Sequence, residues 1–567
     1  MRPSLRHSIP LFALSAAVCV TFGCSSDDTV TTSSSGSSSS GNAGGTAGSG
    51  GDAGMGGFAG SGGAGAMGGS GGSETSCVPG SIANCYDGPM GTEGVGTCAP
   101  GTKVCNPSGM DYGPCMGAIT PQTEDCTTPI DEDCSEVPDC GDHLWSKRFG
   151  DALLQNAQGA AVDAAGNVYL IGYFQGDIDF GGGVLTSAGS NDIYIAKFDS
   201  DGNHVWSKRF GDGNNQRGQA IVLDSAGNLY VSGWFGGTID LGGGPLTGTG
   251  ADDSFLAKFA ADGSHMWSKA FGGLNNQRIE DIAVDETDGV VIVGEFIGTI
   301  DLGGGLLSSA GGADIFLAKY APSGTFVWGK RFGSAGDQIG YAARVAPSGN
   351  VILAGDINGS TNFGGGILGS AGGTDIFVAS FDSLGTHQWS KLFGDAAMQR
   401  GETIAVDAAG AVVLSGYIEG AVDFGGGTLT SGGLRDHFVT KLDATGAHVW
   451  SKRFGGTGDD ATQNLALDSA GNIVFTGHFE AAVDYGGGTL SSAGLRDIVV
   501  AKLSPAGEHV WSRRFGDADS QSGQNVATDA MGQVYVFSDN PGTIDFGGGP
   551  LTSDSGSLDV FIAKLAP

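Results

Sequence analysis

GAAVDAAGNVYLIGYF, residues 159–174, and DIYIAKFDSDGNHVWSKRF, residues 192–210, decide the fold. GAAVD is a short strand, AAGN a turn, and VYLIGYF an alternating strand. A Gly-rich link of about 17 residues (175–191) leads to the strand DIYIAKF. The turn DSDGN then reverses the chain into HVWSKRF. This four-strand unit recurs with a fixed step. Trp145, Trp206, Trp267, Trp328, Trp389, Trp450 and Trp511 lie 61 residues apart. Asp179, Asp240, Asp301, Asn362, Asp423, Asp484 and Asp545 keep the same step, as do Asp163, Asp224, Asp285, Ala346, Asp407, Asp468 and Asp529. Four strands repeated seven times predict an all-β, seven-bladed β-propeller over 141–567.

The two ends of this region complement each other. It opens on HLWSKRFG (143–150), a fourth strand without its first three, and closes on three strands without a fourth, within 525–565. The N-terminal strand is expected to complete the last blade and remove an open edge. On these motifs the chain resembles the bacterial seven-bladed β-propeller repeat family. That resemblance implies the fold and an extracytoplasmic location, and no single activity.

Outside the repeats the composition changes. Residues 1–23 combine Arg2 and Arg6 with the apolar run LFALSAAVCVTFG and read as an export signal. Gly23-Cys24 after such a run resembles a bacterial lipoprotein cleavage site, which implies lipidation of Cys24. Residues 24–76 are mostly Ser, Gly, Ala and Thr. They cannot build a core and are expected to form a disordered tether of roughly 40 Å r.m.s. span. A disulfide-rich module follows at 77–140, with Cys77, Cys85, Cys98, Cys105, Cys115, Cys126, Cys134 and Cys140. Eight cysteines behind an export signal predict four disulfides, in any of 105 pairings. The module lacks CxxC pairs and His, so it offers no zinc site. Asp131-Glu132-Asp133 reads as a solvated loop rather than a calcium site. The stretches CYDGPMGTEGVGTC (85–98) and TPIDEDC (128–134) resemble Cys-rich segments of myxobacterial surface lipoproteins, which implies a location rather than an activity.

Gly supplies 106 of 567 residues, against a usual ~7%. With no three-residue period it excludes collagen, and so much Gly argues against a helical protein. A net charge of −34, from 27 cations and 61 anions, leaves no basic face for nucleic acid.

Repeat symmetry separates scaffold from site. His143, His204, His265, His387, His448 and His509 share one repeat position, so packing explains them better than catalysis. The Trp and Asp ladders read as packing residues and loop-fixing acceptors. Gln155, Gln216, Gln277, Gln338, Gln399 and Gln521 read as staples of the D–A loops. Counting strands A to D outward from the centre, both longer links fall on one face, where a ligand is expected. At the upper end of strand B one position varies sharply: Tyr173, Trp234, Glu295, Asp356, Tyr417, His478 and Asp539. These form the candidate recognition ring, with aromatics to stack on sugars and carboxylates to accept hydroxyls. Arg435 and Arg496, in equivalent B–C links, are placed to meet an anion.

The expectation is a non-enzymatic, monomeric surface lipoprotein presenting a binding or scaffold face to polysaccharide or protein. It is expected to need no cofactor or metal. Its place is the outer membrane or cell surface through the lipid, or secretion without it. Two alternatives remain. One is a glycan hydrolase or lyase using Glu295, Asp356, Asp539 or His478 as acid and base. The other is a purely structural envelope assembly protein.

Overall fold

The computed structural model describes residues 77–88, 92–94, 97–122, 140–554 and 556–567. The expected signal, Cys24, the tether, Cys126, Cys134 and the acidic run at 131–133 lie outside the described residues. In the Cys-rich stretch Ile82–Cys85 pairs antiparallel with Gly101–Val104. Cys77 is bonded to Cys105 and Cys85 to Cys115, and Cys98 and Cys140 are also disulfide-bonded.

Seven four-stranded antiparallel sheets follow. In blade 1, strands A to D are Gln155–Val162, Val168–Phe174, Asp192–Phe198 and His204–Phe210. Strand A extends four residues earlier than GAAVD suggests. It therefore takes in Gln155, which belongs to the strand and not to the D–A loop. Strand B is buried at every residue, although its sequence reads as alternating. Each blade is covered on both faces by its neighbours, so neither face needs to be polar. The clusters span blade pairs: Phe149, Phe537 and Ile562 of blade 7 pack with Phe174, Tyr194 and Phe198 of blade 1. Each such ring or branched chain contributes about 1.5–3 kcal/mol on burial. The A strands touch their neighbours around the full circle and form the inner wall.

Blade 7 is built from both ends of the repeat region. Gly523–Thr528, Val534–Asn540 and Asp559–Leu565 are joined by His143–Phe149 as strand D. Trp145, Trp206, Trp267, Trp328, Trp389 and Trp450 each donate an indole N–H to a carbonyl 55 residues on, in the C–D turn of the next blade. Trp511 has no such turn ahead, and the two ends supply its parts. Its indole donates to the Pro567 carbonyl, and Gly141 lies against its ring. A Cβ on Gly141, whose φ is +70, would sit 3.0 Å from that ring. The equivalent Gly202, φ +75, lies the same way on Trp145. Only Gly accepts both the left-handed backbone and the ring.

The B–C link, read as a Gly-rich loop, holds a small hairpin, Asp177–Asp179 with Val184–Thr186. Asp179 fixes its tip by accepting the N–H groups of Gly181 and Gly183 at 2.7 and 3.1 Å. All seven members of this ladder, Asn362 included, do the same. The middle Gly is required by the His ladder. A Cβ on Gly182 would fall 2.1 Å from the His204 ring, whose Nε2 meets Ser207 Oγ at 3.1 Å. Where blade 3 has Phe326 in place of His, Gly329 replaces the Ser, and no hydroxyl is left without its imidazole. The histidine ladder is thus committed to packing.

Candidate binding rim

The seven candidate ring residues sit at the upper end of strand B, beside the inner strand. Tyr173 lies opposite Asn156 on strand A and Ile193 on strand C. All but the half-buried Glu295 are buried. Two further ladders from strand A join them. One is the position just after the Gln ladder: Asn156, Arg217, Arg278, Ile339, Arg400, Ala461 and Ser522. The other is set by a β-bulge present in every blade, between Ala157 and Gly159 in blade 1. The extra residue of that bulge is Gln158, Gln219, Glu280, Tyr341, Glu402, Gln463 or Gln524. A bulge re-aims the side chain it releases.

In blades 1 to 3 the rim is a stack of rings and guanidinium groups. Arg217 lies 4.4 Å from the Tyr173 ring centroid and 5.0 Å from that of Trp234. Arg278 lies 5.2 Å from Trp234 and pairs with Asp252 at 2.7 Å. All three aromatics of the ring expected to stack on sugars thus have guanidinium groups against their faces, Tyr417 by Arg435 at 4.7 Å.

Blades 3 to 5 carry an acidic arc. Arg400 holds both Asp356 at 3.2 Å and Glu402 at 3.5 Å, and lies over the Tyr341 ring. Burial pushes the Asp356 carboxyl up to about 6, against the pull of Arg400. The like charge of Glu402 adds to that rise, while the Arg400 guanidinium opposes it.

Between blades 5 and 6, Arg435 and Arg496 do meet an anion, and it is the protein's own. Both guanidinium groups reach Asp459, and Arg496 also pairs with Glu480 at 3.0 Å. Burial pushes Asp459 up, but contacts from His478 and Arg435 outweigh it and hold the carboxyl well below its ordinary range. Asp460 occupies the position that Gln fills in the other blades. Its oxygens accept the N–H groups of Gly456 and Glu480, each at 3.0 Å. The Gln ladder itself is fully buried. Gln155, for example, donates to Asp151 Oδ1 and to the Gln175 carbonyl, which staples the loop.

His437 lies under this network. Its Nε2–H donates to the His478 carbonyl at 2.9 Å, and Thr462 donates to its Nδ1 at 3.1 Å. Burial pushes His437 down to about 3. Its folded value is thus below its unfolded one, so its contribution to stability is complete above ~6.5 and is lost as pH falls. Between pH 7 and pH 5 that loss is about 2 kcal/mol. A His437→Gln variant keeps a donor and an acceptor but cannot titrate. Denaturation at the two pH values should show the wild type losing about 2 kcal/mol more than the variant; equal losses would contradict this account.

At the closing seam, Asp539 accepts a hydrogen bond from Asn156 of blade 1. Burial pushes the Asp539 carboxyl well above its ordinary value, against hydrogen bonds from Gln524 and Asn156. The rim therefore brings Tyr173 and Trp234 into one stack, places Asp356 in the acidic arc, His478 beside Asp459, and Asp539 at the seam. The arginines and bulge residues of strand A were not recognised in the sequence. Their 61-residue ladders vary as much as the strand B ladder does, and would have been read once strand A was begun at Gln155.

No family profile matches the chain. Its curated relatives include an uncharacterized WD repeat-containing protein of Acanthamoeba polyphaga mimivirus, 22% identical over 426 residues, covering 59% of this chain and 31% of the relative. The regulatory protein FlaEY of Caulobacter vibrioides is 25% identical over 444 residues, covering 70% of this chain and 45% of the relative. The chain thus spans less than half the length of either relative. Similar solved structures include the WD40 β-propeller domain of Doa1, with a TM-score of 0.37 and 10% identity over 73% of this chain and 96% of that one. Puromycin hydrolase has a TM-score of 0.35 and 12% identity over 78% of this chain and 55% of that one. The protein is a seven-bladed β-propeller with WD-repeat-like relatives.

Proposed function

We propose that this protein is a non-enzymatic binding scaffold whose upper rim recognises a polysaccharide or protein partner outside the cell. The observation that carries this is the distribution of asymmetry. Around the outer strands each polar ladder is occupied by its own blade: His by Ser and the glycine hairpin, Asp by hairpin N–H groups, Lys by Asp. Around the rim the blades differ, and their differing side chains join into one belt of arginines, carboxylates, amides and rings. A repeated residue serves the ring; a position that varies from blade to blade can serve a ligand. Such a belt offers donors and acceptors in the mixture that hydroxyl-rich glycans require.

The anchoring is part of the same reading, which keeps the resemblance to bacterial surface lipoproteins. Disulfides at Cys77–Cys105 and Cys85–Cys115 are consistent with an oxidising compartment. With a net charge of −34 the body would be repelled by anionic headgroups, which leaves lipid on Cys24 as the hold on the membrane. Cys24→Ser should move the protein from the membrane to the soluble fraction, and continued retention would defeat the lipoprotein reading.

The binding reading is tested by screening the purified chain against polysaccharides and envelope fractions. Trp234→Ala and His478→Ala are expected to weaken the retained partner at least tenfold. Unchanged affinity in both would remove the rim from consideration. Release of new sugar reducing ends would instead favour the alternative of a glycan hydrolase, with Asp356 as the first residue to test.

A further inference from the structure

Arg217 stands apart from the other arginines. Among the described residues each of the others lies in ion-pair range of an Asp or Glu, including Arg278, Arg344, Arg400, Arg435 and Arg496 along the upper rim and inner strands. Arg217 has no such partner. Its surroundings are two rings, Tyr173 at 4.4 Å and Trp234 at 5.0 Å. Its Nε is buried with no hydrogen-bond partner, while the side chain as a whole is only half-buried. Trp234 is held in turn by Arg278 on Asp252.

This is an unusual state for a guanidinium group. Rings can take its two flat faces, but the five N–H donors point outward in its plane. A group so stacked is fixed in orientation and still has its donors to satisfy. The partner that matches a planar fork is a planar pair of oxygens, bound through two parallel hydrogen bonds.

We propose that Arg217 is the anion-reading residue of the rim and binds the carboxylate of an acidic sugar, with Tyr173 and Trp234 holding the guanidinium in place. The proposal rests on the glycan form of the binding reading above and narrows its ligand class. The overall charge narrows it further. A body of net charge −34 repels a densely charged polyanion over a Debye length of ~8 Å at physiological ionic strength. The occupant therefore carries isolated carboxylates among neutral sugars, in the manner of a glucuronic-acid-containing oligosaccharide. Lys at this position would keep the charge but lose the fork and the stacking plane.

The test is calorimetric titration of the full chain with a glucuronic-acid-containing oligosaccharide and with its methyl ester, which is identical except for the charge and the paired oxygens. The acid is expected to bind at least tenfold more tightly than the ester. Arg217→Gln should erase that preference and Arg217→Lys should reduce it severalfold, both at an unchanged unfolding midpoint. Equal binding of acid and ester to the wild type would overturn the proposal, and that comparison needs no variant to fold. An acid preference that persists undiminished in Arg217→Gln would also overturn it. So would absence of binding by the acid, whatever else the rim retains. Retention of a neutral glycan or a protein, lost in His478→Ala but not in Arg217→Lys, would leave the binding face standing and remove only its acidic ligand.

Discussion

Deleting His143–Phe149 from the full chain should abolish the soluble monomer, reducing its yield more than tenfold. The strand Asp559–Leu565 pairs with His143–Phe149 along one side and with Val534–Asn540 along the other. Without the first it becomes a seven-residue open edge of buried, apolar sequence, the kind that pairs with another chain. Asp559, fully buried, would lose Arg148, which pairs with it at 2.5 Å. A buried carboxylate stripped of its cation costs about 3–5 kcal/mol. The tie from Trp145 to the Ser200 carbonyl of blade 1 would go too. Size-exclusion chromatography checks the outcome, with a synthetic peptide of residues 142–150 added during refolding. The peptide should restore monomer. A deletion variant that elutes as a cooperatively folded monomer without it would contradict the closure.

The second large effect concerns a pair at the other end of the blades. Lys258 reaches Asp224 at 2.8 Å and donates to the Tyr230 hydroxyl at 2.9 Å. Both charged side chains are buried. Burial pushes the Lys258 ammonium down, but hydrogen bonds to Asp224 and Tyr230 outweigh it and hold it above its ordinary value. The same pairing recurs as Lys319–Asp285, Lys441–Asp407 and Lys502–Asp468. Blade 4 replaces both partners together, with Ala346 for the Asp and Ser380 for the Lys. The chain thus contains its own double substitution. Lys258→Ser alone should cost about 3–5 kcal/mol, because it strands Asp224. Adding Asp224→Ala should recover most of that, to within about 1–2 kcal/mol of the wild type, as replacing both members of a buried pair generally does. Denaturant unfolding of the two variants measures the coupling. Additive losses would show that the pair is not the unit.

The fold was legible because the repeat was. Trp145 to Trp511 set the period, and HLWSKRFG at one end matched the missing strand at the other. What the sequence hid was burial. VYLIGYF reads as an alternating strand, but neighbouring blades cover both of its faces. The same stacking turned the ring from Tyr173 to Asp539 into a mostly buried belt. Its chemistry depends on strand A neighbours such as Arg217 and Arg400, each of which joins residues of its own blade to residues of the blade before it. Periodicity within a blade carries no signal for the contacts that cross from one blade to the next. The partnership of Arg435, Arg496 and Asp459 was half visible: Arg435 and Arg496 in equivalent B–C links pointed to an anion, but the carboxylate came from the one D–A loop that departs from the Gln pattern.

The central claim is that ligands meet this protein at the upper rim. Hydrogen–deuterium exchange of the full chain, with and without the partner retained in the screen, tests it most directly. Protection is expected in the B–C and D–A connections and at the upper ends of strands A and B, around Tyr173, Trp234 and His478. Protection confined to the outer D strands, or to the A–B and C–D turns on the opposite face, would contradict the account.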